Sequence, residues 1–156
     1  MESHEQNIKQ AYSKMAQLCS RSEQCSADIR KKIMAYEIVD EIVDEIISKL
    51  IEEKFIDDER YVRAYVNDKF KINKWGKVKM RHYLLAKGLS DEVIQKGLEN
   101  IDEEKYKTLL IKTMKARAKT LKKKSCFEKM GQVIRYTQSR GFEPELIHRY
   151  LNEVLE

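Results

Sequence analysis

The stretch "FIDDERYVRAYV", residues 55–66, places three acids and an arginine between an isoleucine and a tyrosine. Forty-five positions later, residues 100–111 read "NIDEEKYKTLLI" and repeat the order apolar residue, aspartate, acid, glutamate, base and tyrosine. A pattern that returns at a fixed distance is typical of a chain built from structural repeats. We therefore interpret the echo as one phase of a period and not as chance in a highly charged chain.

A second pair of segments follows a similar period. Residues 87–98, "KGLSDEVIQKGL", and residues 140–151, "RGFEPELIHRYL", share a base, a glycine and an apolar residue, and later an acid, an isoleucine and a leucine. The two echoes predict three units of three helices each, at residues 7–56, 57–101 and 102–156. Units of about 45–55 residues bury too little apolar surface alone, so we expect them to stack on one another.

The composition favours long helices. The sequence has one proline and five glycines, and its valines and isoleucines recur at helical spacing. A hydrophobic fraction of 42% allows a core, and a charged fraction of 37% predicts a heavily solvated surface. No apolar run reaches the roughly 18 residues that a membrane span requires. We therefore expect an all-α, unexported, cytoplasmic protein that does not contact a membrane.

Several polar residues mark the predicted helix starts. Four of them stand where a side-chain oxygen would accept a backbone N–H as an N-cap: Asp57, Ser90, Asp102 and Ser125. Gly88 is expected to end a helix in the left-handed conformation. The helix that begins at Asp102 is predicted to continue to about Lys124.

Aromatic residues have two possible roles. Tyr61, Tyr65 and Tyr106 lie on the apolar faces of predicted helices, which favours core packing over stacking on nucleic-acid bases. Trp75 lies in the connector "NKWGK", residues 73–77, and the sequence leaves both roles open for it.

Positive charge is concentrated in the last two thirds of the chain. The formal net charge is −3 for residues 1–56, +3 for residues 57–101 and +5 for residues 102–156. One predicted helix carries Arg60, Arg63 and Lys71 along a single face. Five lysines of the next long helix fall within a wedge of roughly 100°: Lys105, Lys112, Lys115, Lys119 and Lys122. Such a face is either merely solvated or contacts an anionic partner such as DNA or an acidic protein groove.

The residues give no support for an enzyme. The five glycines have no phosphate-loop context, and the three histidines lack the spacing of metal ligands. The pair Asp57-Asp58 stands at a predicted helix start, where capping is the ordinary role of an acid. Cys19, Cys25 and Cys126 form no CxxC pair, so we expect reduced thiols. We expect no catalysis, no cofactor and no metal site.

Taken in order, these motifs resemble the RecX family, the bacterial regulators of the RecA recombinase. The resemblance covers about residues 12–155. The family's apolar-Asp-Asp-Glu-Arg-aromatic turn is found at residues 56–61, followed by Gly76, basic residues through Arg81, and the step Lys87-Gly88-Leu89. The family's C-terminal Arg-Gly-aromatic element is Arg140-Gly141-Phe142.

The chain departs from the family pattern at three places. The first unit has Tyr36-Glu37-Ile38 where the family usually has a Lys-Gly-aromatic step, and Cys25 where the family has a serine cap. In the middle unit, Lys77 replaces the proline that follows the glycine.

The resemblance implies three tandem three-helix repeats stacked into an elongated, curved array without enzymatic activity. RecX proteins are thought to lodge in the helical groove of the RecA–DNA filament and to limit its growth, ATP hydrolysis and strand exchange. We accordingly expect a monomer that binds RecA filaments and that binds free DNA weakly and without sequence preference. The basic residues expected to contact RecA or DNA are Arg60, Arg63, Lys71, Lys77, Lys79, Arg81, Lys87, Lys112, Lys115, Lys119, Lys122, Arg135 and Arg140. The alternative is a basic helical nucleic-acid-binding or scaffold protein unrelated to recombination.

Overall fold

The computed structural model describes residues 2–155, which form nine α-helices and no strand. The helices are α1 (Glu2–Arg21), α2 (Ser26–Met34), α3 (Asp40–Glu52), α4 (Asp58–Lys71), α5 (Lys77–Ala86), α6 (Asp91–Glu99), α7 (Glu103–Lys119), α8 (Cys126–Ser139) and α9 (Pro144–Leu155). This confirms the predicted all-α architecture of tandem three-helix repeats. Within residues 2–155, no helix combines the length and apolar character that a bilayer crossing requires.

The helices pack in three groups that follow the chain: α1–α3, α4–α6 and α7–α9. We call these the first, second and third units. The first unit has a core of its own around Ile33 and Leu50. The second and third units share one continuous core, which includes Val62 and Leu110 and which also takes in Cys25 from the first unit. The exact division at residues 7–56, 57–101 and 102–156 stays a prediction.

The four predicted N-caps are confirmed. Asp57 accepts a hydrogen bond from the Arg60 amide at 3.1 Å, and Asp102 accepts from two amides of the first turn of α7. Ser90 and Ser125 each accept from the amide three residues later. Each bond satisfies an N–H that the helix itself leaves unpaired, so these residues fix where the helices begin.

The predicted end of α7 at Lys124 is wrong, because the helix stops at Lys119. The hydroxyl of Thr120 donates to the Arg117 carbonyl at 2.7 Å, and the next residues turn so that Leu121 becomes buried. Lys122 therefore lies in the turn after α7 and does not continue the helical lysine wedge.

Each unit ends its second helix with a left-handed residue followed by a buried apolar side chain. Gly88 has a φ of 88° and Gly141 a φ of 99°, and Leu89 and Phe142 follow them into the core. In the first unit, Glu37 adopts a φ of 56° before buried Ile38. The departure from glycine thus leaves the turn intact, with a side chain in a conformation that glycine adopts more easily.

The two echoed segments form the junctions between units. Asp58 accepts hydrogen bonds from the backbone N–H of Ser26 at 2.9 Å and from its hydroxyl at 2.8 Å, so the second unit caps α2 of the first. In the next junction, the backbone N–H of Lys77 donates to the Tyr106 hydroxyl at 2.9 Å, so the third unit caps α5 of the second. The opening pattern recurs because each copy closes a helix start in the unit before it.

Candidate anion-binding interface

A groove with basic walls runs between α4, the end of α6 and the start of α7. Its volume is about 760 Å³, and it is open to solvent. Four cationic side chains line it: Arg60, Arg63, Lys71 and Lys105. We call this feature the basic groove. It joins the arginine face of the second unit to the first lysine of the third, which sequence spacing alone did not place together.

The packing of α4 against α6 shapes the groove. Val62 and Val66 of α4 point into the core, which turns Arg63 outward on the next part of the helix surface. Gly97 of α6 lies against Val62, and a Cβ at position 97 would come within 2.3 Å of the Val62 Cγ1. The missing side chain lets the two helices approach closely and keeps the groove wall in place.

The four cations of the basic groove differ in whether they pair with an acidic side chain of the same chain. The Arg60 Nε donates to both carboxylate oxygens of Glu23, at 2.7 and 2.9 Å, and this bond raises the pKa of Arg60. Arg60 thus links the second unit to the first. Among the side chains that the structure describes, residues 4–155, no carboxylate lies within 4.0 Å of the charged nitrogens of Arg63, Lys71 or Lys105. One carboxylate also lines the groove, that of Asp102, and it accepts backbone amides at the start of α7. The three unpaired cations outnumber it and leave the groove with a net positive charge.

The exposed face of α7 extends this positive surface. Lys105, Lys112, Lys115 and Lys119 are all exposed, and we call them the lysine stripe. Lys105 and Lys119 are 14 positions apart along the helix, or roughly 21 Å at 1.5 Å per residue. Lys122 is exposed too, but it stands in the turn beyond the stripe. Arg135 is exposed on α8.

Other candidate residues of the second unit are engaged with their own chain. The Lys77 Nζ lies 4.8 Å from the centroid of the Tyr106 ring, and the Lys79 Nζ lies 4.6 Å from that of Trp75. Arg81 donates to Asp91 at 3.2 Å and also to Gln95. These cations are half-buried, and their intramolecular partners leave them less free to meet a ligand than the lysine stripe.

Lys87 and Arg140 hold the units together. The Lys87 Nζ donates to the Asp28 carboxylate of the first unit at 2.9 Å, and this bond raises the pKa of Lys87. Arg140 donates to the backbone carbonyl of Asn73 in the second unit. The two residues occupy equivalent positions in the echoed segments, and each reaches back to the preceding unit. These contacts between units are sufficient to explain why a basic residue stands at this position of the repeat.

Trp75 packs against its own chain. Its ring stacks on Tyr83 with centroids 5.3 Å apart, and Lys69 lies 4.8 Å from its centroid in addition to Lys79. As predicted, the tyrosines on apolar faces pack against the core: Tyr106 is buried, and Tyr61 and Tyr65 are half-buried against the shared core. In the part of the chain that the structure describes, no three His, Cys, Asp or Glu side chains gather as a metal site would require.

Comparisons with known proteins agree on one family. Residues 57–98 match the family model described as RecX, second three-helix domain. The regulatory protein RecX of Clostridium tetani is 30% identical over 109 residues, which are 67% of this chain and 48% of that protein. The regulatory protein RecX of Clostridium beijerinckii is 27% identical over 103 residues, 65% of this chain and 47% of that protein. The chain spans about half the length of these curated relatives.

Two solved structures show the same fold. The crystal structure of RecX from Lactobacillus salivarius superposes with a TM-score of 0.89 at 19% identity, covering 96% of this chain and 97% of that one. A crystal structure of a regulatory protein RecX gives a TM-score of 0.85 at 22% identity, covering 96% and 74%. At these identities the likeness supports the arrangement of the nine helices within residues 2–155.

Proposed function

Since the chain belongs to the RecX family, we propose that it binds RecA recombinase filaments on DNA and limits their growth, ATPase activity and strand exchange. The observation that carries the proposal is the basic groove together with the lysine stripe. These cations extend over two units and, apart from Arg60, which pairs with Glu23, have no carboxylate partner among the side chains described, residues 4–155. The DNA of a RecA filament carries an extended row of phosphates, to which such a track is complementary.

The arrangement suits a regulator that binds along a surface, with no catalytic step. The groove walls carry cations, amides and the Asp102 carboxylate beside the apolar side chains of Val66 and Phe70, and no serine, threonine, cysteine or histidine lines them in the described chain. The proposal implies a monomer that acts in the cytoplasm, where RecA filaments form. The second and third units would contact the filament, and the acidic first unit would face away from the phosphates.

The proposal is tested by titrating the protein into RecA filaments assembled on single-stranded DNA. We expect ATP turnover to fall at or below a stoichiometric ratio to RecA. The variant with Lys112, Lys115 and Lys119 changed to Glu should inhibit much more weakly while keeping its helical circular dichroism. A matched control changes three exposed lysines of the first unit, Lys9, Lys14 and Lys31, to Glu with the same change of six charges. ATP turnover that stays constant across the titration would contradict the proposal.

Binding to free DNA separates this function from that of a general nucleic-acid-binding protein. About four phosphate contacts predict that log K falls with log salt at a slope of roughly −3, without sequence preference. Pull-down of RecA with and without DNA then distinguishes the two functions. Retention of DNA but never of RecA would favour the basic helical nucleic-acid-binding protein.

A further inference from the structure

Phe127 is the most exposed large apolar residue in the described chain, and the features described so far do not account for its exposure. Its side chain is 84% exposed, more than any other large hydrophobic residue within residues 2–155. It stands in the first turn of α8, directly after the Ser125 cap and exposed Cys126. The ring therefore lies at the start of α8, next to the connection from α7, and no aromatic or cation contact engages it in the part of the chain that the structure describes.

The chain around Phe127 carries more positive than negative charge, since three lysines precede it and one exposed acid, Glu128, follows it. Lys122, Lys123 and Lys124 precede it in the same connection and are all exposed. None of the three pairs with a carboxylate in the described chain. We call Lys122–Lys124 together with Phe127 the lysine–phenylalanine tip. The lysine stripe ends at Lys119, so chain connectivity places the tip at the far end of the positive track that begins in the basic groove.

We propose that the lysine–phenylalanine tip binds single-stranded DNA, with phosphates on the lysines and one unpaired base stacked on the Phe127 ring. This inference deepens the proposed function and rests on it, because it names single-stranded DNA as the polynucleotide that the positive track would meet in a RecA filament. An aromatic ring among cations matches the two features of a single strand, a charged backbone and exposed base faces. In duplex DNA the base faces are stacked on one another and closed to the ring.

A protein pocket fits the same surface less well. The centre of a protein–protein interface is depleted of lysine, because each buried ammonium group must give up its water. The three lysines at 122–124 lie within five residues of Phe127, and no second large apolar residue is exposed between Leu121 and Arg135 of the described chain. The positive end of the α8 dipole lies at the same point and adds to the attraction for phosphate. Charge and composition therefore favour nucleic acid.

Replacing the ring tests the stacking directly. Loss of one base–aromatic stack should weaken binding of a fluorescent oligo-dT by about 5- to 150-fold in the full-length Phe127→Ala variant. The salt slope should stay unchanged, because no phosphate contact is removed. Phe127→Tyr should restore most of the affinity. Changing Lys122, Lys123 and Lys124 to Gln should instead lower the slope by about 2, at roughly 0.7 per phosphate contact on a single strand.

A spectroscopic probe separates stacking from nearby charge. The variant Trp75→Phe with Phe127→Trp carries a single tryptophan at the tip. Its fluorescence should be quenched by oligo-dT, and much less by an abasic oligonucleotide or by a blunt duplex of the same length. Equal affinity of wild type and Phe127→Ala for oligo-dT would overturn the inference, as would equal quenching by the abasic strand or no oligo-dT binding by the wild type.

The RecA assay keeps this inference distinct from the proposed function. If Phe127→Ala binds oligo-dT normally but no longer inhibits RecA, the ring contacts protein; the inference then fails while the proposed function stands. If the wild type leaves RecA unaffected but needs Phe127 to bind oligo-dT, the proposed function fails while the tip is confirmed as a single-strand site.

Discussion

Replacing Gly141 by alanine should separate the second and third units. The residue has a φ of 99°, and a Cβ at this position would lie 2.3 Å from the Lys79 Cβ and 2.9 Å from the Lys79 amide nitrogen. The turn around it holds the start of α5 through its backbone, in addition to the side-chain contacts of Arg140 and Phe142. The Arg140 carbonyl accepts from the Gly76 amide at 2.8 Å, and the Gly141 carbonyl accepts from the Val78 amide at 2.9 Å.

The expected magnitude has two parts. A β-carbon at this positive φ costs about 1–2 kcal/mol. Relieving an overlap with a backbone atom and a Cβ, neither of which can rotate away, costs a further ~1–3 kcal/mol because the turn must shift off α5. The free energy of unfolding should therefore fall by about 2–5 kcal/mol. That is a large part of the 5–15 kcal/mol typical of a domain, so the second and third units should lose their shared core cooperatively.

The equivalent glycine of the second unit supplies the control. Gly88 has a similar φ of 88°, but a Cβ there would meet only the Ala27 Cβ, at an ordinary 3.5 Å. Gly88→Ala should therefore cost only the conformational part, about 1–2 kcal/mol. Urea unfolding followed by circular dichroism measures both variants. If Gly141→Ala destabilises no more than Gly88→Ala, the close approach at the junction is not what demands glycine.

Three further predictions concern the turn at Glu37 in the first unit and the junctions between units. Glu37→Gly should raise the free energy of unfolding by about 1 kcal/mol, measured by urea titration, because glycine adopts the φ of 56° without strain. Tyr106→Phe should cost about 1–3 kcal/mol at neutral pH, since it leaves the Glu143 carboxylate and a backbone N–H without their hydroxyl partner. Burial and the hydrogen bond to Glu143 raise the pKa of Tyr106. The stability that the neutral phenol contributes is therefore complete below the ordinary tyrosine pKa of about 10 and is lost as pH rises further. The free energy of unfolding of the Phe variant should accordingly fall less steeply at alkaline pH. Asp58→Ala should cost about 1 kcal/mol through the lost cap on α2, and a double-mutant cycle with Ser26→Ala should be clearly non-additive.

Local features of the fold could be predicted from the sequence because their causes lie within a few residues. Asp57 and Ser125 cap helices through amides three positions away, and Gly88 ends a helix through its own φ. Such interactions have fixed sequence spacing. The end of α7 was missed because Leu121 turns inward by tertiary packing, which outweighs the helical propensity of the lysines around it.

The contacts between units lie beyond such prediction. Asp58 and Ser26 are 32 residues apart, and Lys87 and Asp28 are 59 apart, so no local pattern links them. The repeat predicted that neighbouring units stack on one another. It did not predict that a carboxylate closes the helix start at one junction and a tyrosine hydroxyl at the next. The basic groove was found in part: the face with Arg63 was predicted from spacing, whereas its meeting with Lys105 depends on how the third unit docks.

The structure divides the basic residues of the chain into two kinds, and this division determines which substitutions can report on function. Lys87 and Arg140 donate hydrogen bonds to the preceding unit, so changing either should lower the free energy of unfolding even where no binding partner is present. Arg63 and Lys112 are exposed and have no carboxylate partner among the side chains of residues 4–155, so their charge can change with little effect on folding. A loss of RecA inhibition in Lys87→Ala would therefore be ambiguous, because misdocked units also displace the positive track. The same loss in Arg63→Glu, at unchanged unfolding free energy, would identify a contact with the filament.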